Sequence, residues 1–138
     1  MKSGIQADFY PHSDLTYKII GICYKVHNHL GSGYLEKHYQ RAIEREAKLE
    51  KIPIKRELKV DIYYENQSVG RYSLDFVFDD KVAVEVKKKK FIHQKDAVQL
   101  LRYLNALKLK VGLLVNFGCD KIQVKRIILP DKYLLKSV

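Results

Sequence analysis

The sequence predicts an α/β domain: a mixed β-sheet flanked by helices, with elements in the order ααβββαββ. Three observations predict it. Apolar residues recur at helical spacing over two stretches before residue 52. The period then changes to two between Ile54 and Lys88. Helical spacing returns from Ala97 to Leu107, ahead of two short apolar strands.

The elements follow in order. Residues 1–13 read as a flexible arm, 14–130 as one domain and 131–138 as a tail. Asp14 or Ser13 is the expected N-cap of a first helix, 14–30, whose stripe is Leu15, Ile19, Ile22, Cys23, Val26 and Leu30. Gly31 ends it. A second helix runs from Tyr34 to about Lys51, with Leu35, Tyr39, Ala42, Ile43 and Leu49 inward, and Pro53 closes it. The strand 54–64 places Ile54, Leu58, Val60, Ile62 and Tyr64 on one side. A turn over Glu65 to Ser68 leads to strands 69–78 and 82–88, joined by Asp79-Asp80-Lys81. A helix over 93–107 returns the chain to a parallel position, followed by strands 111–115 and 124–129.

Composition narrows the function classes. The chain has 138 residues, enough for one domain with its own core. No apolar run approaches the ~20 residues of a membrane helix, and the N-terminal stretch lacks a signal-peptide core. The two cysteines lack metal spacing, so a reduced, cytoplasmic protein is expected. The five histidines also lack ligand spacing, and His27 and His29 read as surface or capping residues. A net charge of +10 favours a polyanionic partner, nucleic acid above all. No base-reading motif is visible.

The chemistry sits in the stretch YSLDFVFDDKVAVEVK, residues 72–87. Alternation sets Tyr72, Leu74, Phe76 and Phe78 on one face and Asp75 and Val77 on the other. A three-residue loop pairs Phe78 with Val82, Phe76 with Val84 and Leu74 with Val86. Asp75 then lies opposite Glu85, with Cβ atoms roughly 5 Å apart, and Lys87 one step further on the same face. Lys88 faces away. Facing carboxylates repel, and either a divalent cation or the Lys87 ammonium offsets that repulsion. Spacing alone leaves both readings open: a metal site or a cross-strand ion pair.

Asp75 followed by Glu85-Val86-Lys87 resembles the core motif of the PD-(D/E)XK nuclease superfamily. Upstream, Gly33-Tyr34-Leu35-Glu36-Lys37-His38-Tyr39 spells Gly-x-x-Glu-x-x-Tyr. That motif, with VHNHLGSGYLE, QLLRYL and VGLLVNFG, resembles the GxxExxY family of small bacterial and archaeal proteins over about residues 14–129. The resemblance implies a restriction-endonuclease-like core. It implies Mg²⁺ or Mn²⁺ held by Asp75, Glu85, the Val86 carbonyl and Glu36, with Lys87 beside the attacking water. It also implies that Gln99 and Tyr103 contact substrate near the metal. By spacing alone, Glu36 is equally a helix-dipole partner, and Gln99 with Tyr103 an exposed polar flank. Lys89, Lys90 and Arg102 are candidate phosphate contacts, positioning without sequence readout. Leu74 stands where the superfamily's name has proline, and Lys88 to Lys90 extend the positive run. The implied activity is metal-dependent hydrolysis of nucleic acid, DNA favoured, by a monomer or homodimer. The competing expectations are a nucleic-acid-binding module with weak or no turnover, and a protein-assembly domain.

Overall fold

The computed structural model describes residues 11–132, so most of the expected arm and tail lie outside the described residues. Helix α1 (Ser13–Leu30) buries Ile19, Ile22, Cys23 and Val26, and Gly31 ends it at a φ of 74° with its N–H on the His27 carbonyl. His12, not Asp14 or Ser13, occupies the N-cap and makes no side-chain cap bond. Asp14 lies within the first turn, where its charge still favours the helix dipole. Helix α2 (Glu36–Leu49) starts two residues later than its periodicity suggests and buries Tyr39, Ile43 and Ala47. The Tyr39 hydroxyl donates to the Gly31 carbonyl and accepts from the Tyr34 N–H, tying the α1–α2 loop to the core.

Strands β1 (Ile54–Tyr64), β2 (Gln67–Phe78) and β3 (Val82–Lys87) form an antiparallel meander. Helix α3 (Gln94–Leu107) carries the chain to β4 (Val111–Asn116), parallel to β3, and β5 (Gln123–Ile128) closes the sheet antiparallel to β4. The sheet order is β1-β2-β3-β4-β5, so the expected mixed sheet and the order ααβββαββ hold. The β1–β2 turn is tighter than expected: Glu65 and Asn66 both take positive φ, the form of a two-residue hairpin turn.

Helices α1 and α2 cover one sheet face. Ile19, Ile43, Phe76, Phe78, Val84, Val86, Leu113 and Val115 share that core. Helix α3 covers the other, where Leu74, Val77, Ala83, Leu100, Leu104 and Leu114 meet. Gly112 admits α3 closely; a Cβ there would meet Leu100 at 2.9 Å.

One strand expectation fails, and the failure shapes the site. Leu74 and Tyr72 do not share a face with Phe76 and Phe78; they pack on the α3 side. On β1, Ile54 packs on the α1–α2 side, whereas Leu58 and Val60 face α3. Both strands change face at one level, between the pairs Arg56–Phe76 and Leu58–Leu74, where Glu57 takes a φ of 51°. A left-handed residue rotates the following chain, and strict alternation is lost. Asp75 sits at this break.

Among the described residues no helix is long and apolar enough to cross a membrane. Cys23 and Cys119 are both free thiols. His27 is buried, contrary to its expected surface place, and its Nε2 lies 2.8 Å from the Cys119 carbonyl.

Candidate functional site

The β2–β3 ladder pairs Phe78 with Val82 and Phe76 with Val84, as expected, and stops there. The expected continuation, Leu74 with Val86 and Asp75 opposite Glu85, is not made by the backbone. Side chains take its place. Glu85 Oε1 accepts the Asp75 N–H at 2.9 Å, and Asp75 Oδ2 accepts the Val86 N–H at 2.8 Å. The physical reason is the break at Asp75: N–H groups released from the ladder inside a sheet need acceptors, and the two carboxylates supply them. Among the described residues, the second oxygen of each makes no hydrogen bond.

Glu85 is buried, Asp75 is half-buried, and both carboxyls are raised. Burial pushes the Glu85 carboxyl up to about 8, the neighbouring Asp75 charge adds to this, and the Asp75 N–H and Lys87 oppose it. Burial likewise raises Asp75; the Val86 N–H opposes the rise, and the charge of Glu36 reinforces it. Glu36, first residue of α2, reaches the same strand end: its Oε2 accepts the Lys88 N–H at 3.1 Å. The three acids implied by the family motifs therefore gather where β3 ends, between the start of α2 and the first turn of α3.

Lys87 stands beside them, with its ammonium 4.0 Å from Asp96 of α3. Arg56 also bears on Asp75 electrostatically. Its guanidinium, however, is hydrogen-bonded to Glu44 and Gln40 and lies over the Phe76 ring. Positive charge at the acidic pair is thus shared with other partners. Buried carboxylates with spare oxygens and incomplete neutralisation fit a hard divalent cation, which prefers oxygen donors and keeps several waters. A ready cage is a different matter: among the described residues no three His, Cys, Asp or Glu side chains stand together in position to hold a metal ion.

The other expected site residues fall in two groups. Tyr103 is buried on α3, stacks on Tyr72, bonds Gln99 and is raised by burial and by the Glu85 charge. Gln99 and Arg102 are exposed on the same helix. Lys90 is exposed, but Lys89 is not a free phosphate contact: its ammonium bonds Asp96 at 2.9 Å.

Sequence reasoning missed Asp96 and Asn116. Asp96 is 6% exposed, accepts the His93 N–H and pairs with Lys89. Burial would raise its pKa, yet Lys89, the His93 N–H and Lys87 outweigh burial and hold it below the ordinary value. Asn116, fully buried at the end of β4, accepts the Lys89 N–H and donates to the Lys89 carbonyl, so it clamps the chain leaving β3. Gly118 completes that clamp, since a Cβ would stand 2.4 Å from the Lys89 carbonyl oxygen. A helix-start acid three residues after His93 was the signal for Asp96; no local pattern marks Asn116. Alternation gives Tyr72 only a core face, but among the described residues its buried hydroxyl has no hydrogen-bond partner. Burial, then Glu85, raises its pKa.

Comparison with known proteins gives the superfamily and the fold. A family model described as the PD-(D/E)XK nuclease superfamily matches residues 13–127. Among solved structures, that of SSO0001 superposes with a TM-score of 0.53 at 18% identity, over 71% of this chain. The match covers 53% of SSO0001, so this chain spans about half its length, and the likeness is one of fold. No curated protein matches the sequence.

Proposed function

From the premise that this chain belongs to the PD-(D/E)XK nuclease superfamily, we propose that it is a Mg²⁺- or Mn²⁺-dependent nuclease acting in the cytoplasm, with DNA the favoured substrate. The Gly33-to-Tyr39 motif supports a finer assignment to the GxxExxY family. The single observation that carries the proposal is the Asp75–Glu85 pair, held where β3 ends with Glu36 and Lys87 at hand.

In this reading Asp75, Glu85, Glu36 and the Val86 carbonyl hold the cation. The cation would lower the pKa of water and offset charge on a phosphodiester. Lys87 stabilises the extra negative charge of the transition state, and its contact with Asp96 sets its direction. The Asn116 clamp fixes the chain after Lys87, so the ammonium and the Glu36 contact keep their places. Gln99 and Tyr103 orient the nucleotide beside the acids. Lys90 and Arg102 supply charge to the backbone of the substrate without reading sequence.

A second reading has its own support. Each carboxylate of the pair already binds a backbone N–H across the β2–β3 seam, which suits a structural stitch in a nucleic-acid-binding or assembly module without turnover. Incubation with single-stranded, duplex and RNA substrates in Mg²⁺ or Mn²⁺ separates the two. The nuclease reading expects cleavage that is lost with EDTA, in Asp75→Asn and in Lys87→Ala, with both variants folded. Absence of cleavage of every substrate in both metals defeats it.

A further inference from the structure

On the α3 face of the sheet, the end of β1 and α3 border a groove of about 700 Å³. Ile62 and Tyr63 of β1 and Gln99, Arg102 and Asn105 of α3 line it, one aliphatic, one aromatic, one cationic and two carboxamide residues. Tyr63 and its neighbour Tyr64 are 66% and 64% exposed, large rings standing in solvent on a hairpin. Asp61 also lines the groove, but its carboxylate binds Arg71 at 3.0 Å and Ser68 at 3.1 Å, and the Arg71 bond holds its pKa down. It therefore sets little free negative charge against an anionic ligand. Tyr103 lines the same groove and stacks on Tyr72, three residues before Asp75 on β2, so the groove runs toward the acidic pair.

We propose that this groove takes an unpaired nucleotide next to the reacting phosphate, so that the substrate is single-stranded or locally unpaired nucleic acid; the link to a reacting phosphate rests on the nuclease reading. The chemistry matches a nucleobase on three counts. An exposed ring and a guanidinium stack on base faces irrespective of sequence. Carboxamides present a donor and an acceptor to a base edge. A base inside a duplex cannot enter a groove bordered by a strand end and a helix without leaving its stack. The chain's charge of +10 draws the phosphates of the same ligand.

The test is binding, read by fluorescence anisotropy of a labelled oligothymidylate in EDTA, so that no cleavage intervenes. Tyr63→Ala is expected to weaken binding about 10-fold or more, from the loss of one stacked base. Tyr63→Phe, which keeps the ring, stays within about two-fold by the same logic. Tyr17→Ala, on the opposite sheet face and 81% exposed, leaves binding unchanged. An abasic oligonucleotide of equal charge binds the wild type as weakly as oligothymidylate binds Tyr63→Ala. The proposal is overturned if Tyr63→Ala binds like the wild type, if the abasic strand binds as well as oligothymidylate, or if the wild type binds neither; the last points to a protein occupant. Cleavage of oligothymidylate in Mg²⁺ reports on the nuclease reading separately. Cleavage with Tyr63-independent binding removes only the groove, and Tyr63-dependent binding without cleavage removes only the nuclease.

Discussion

Glu85→Gln in metal-free buffer isolates the strain in the acidic pair. The folded protein holds this carboxyl at about 8, against an ordinary 4.5. Between those values the folded state keeps a proton that the unfolded chain has released. The folded state binds more protons there, so stability falls as pH rises through the window and levels off above about pH 8. Each tenfold change in proton affinity is about 1.4 kcal/mol, so the ionised Glu85 destabilises the fold by up to ~5 kcal/mol at pH 8 and above. Glutamine removes the charge and keeps an acceptor for the Asp75 N–H, but its amide N–H groups lack partners, a loss of about 1–3 kcal/mol. The variant should therefore be roughly 2–4 kcal/mol more stable than the wild type at pH 8, and level with it or slightly less stable at pH 5. At about 3–4 °C per kcal/mol for a chain of this size, Tm rises by roughly 6–16 °C at the alkaline end. Urea unfolding followed by circular dichroism, from pH 5 to 9 in EDTA, reads the difference directly. Parallel stability curves for the two proteins, or a less stable variant at pH 8, would refute the reasoning and make Glu85 a structural partner of Lys87.

Further outcomes follow from the same geometry. Millimolar Mg²⁺ should raise the wild-type Tm at pH 8 by offsetting the buried charge, and Asp75→Asn should lose that rise while keeping its circular dichroism spectrum; differential scanning fluorimetry reads both. Gly118→Ala should destabilise by about 1–3 kcal/mol, because its Cβ meets the Lys89 backbone, and should weaken cleavage by displacing the chain after Lys87. Asp96→Asn removes the anion shared by Lys87 and Lys89 and should lose about 1–3 kcal/mol in urea unfolding. In the nuclease assay it should also shift the pH profile of cleavage, which a purely structural loss would leave in place.

Much of the fold was legible because periodicity and pairing act locally. The apolar faces of residues 76–78 and 82–84 select one register, and Phe78–Val82 is the pair that forms. The return of helical spacing after β3 required a crossover, and β4 is parallel to β3. The change of face at Glu57 and Asp75 was not legible. It depends on a left-handed backbone at a glutamate, which neither the side chain nor its neighbours announce. At that level Leu74 turns to α3 and the carboxylates bind backbone rather than simply facing each other. Glu36 lies at the end of β3, where it accepts the Lys88 N–H. Lys89 did not stay free, because a partner 7 residues on, Asp96, is brought beneath it by the turn into α3. Contacts of that kind depend on tertiary placement, and the same holds for Asn116 reaching back to Lys89.

Diffraction from crystals soaked in Mn²⁺, recorded at the manganese absorption edge, bears most directly on the acidic pair. The expected result is one strong anomalous peak in contact with the carboxylates of Asp75 and Glu85, absent from Asp75→Asn crystals. Both carboxylates still on their backbone N–H groups, with manganese bound only elsewhere or not at all, would contradict a metal-dependent nuclease.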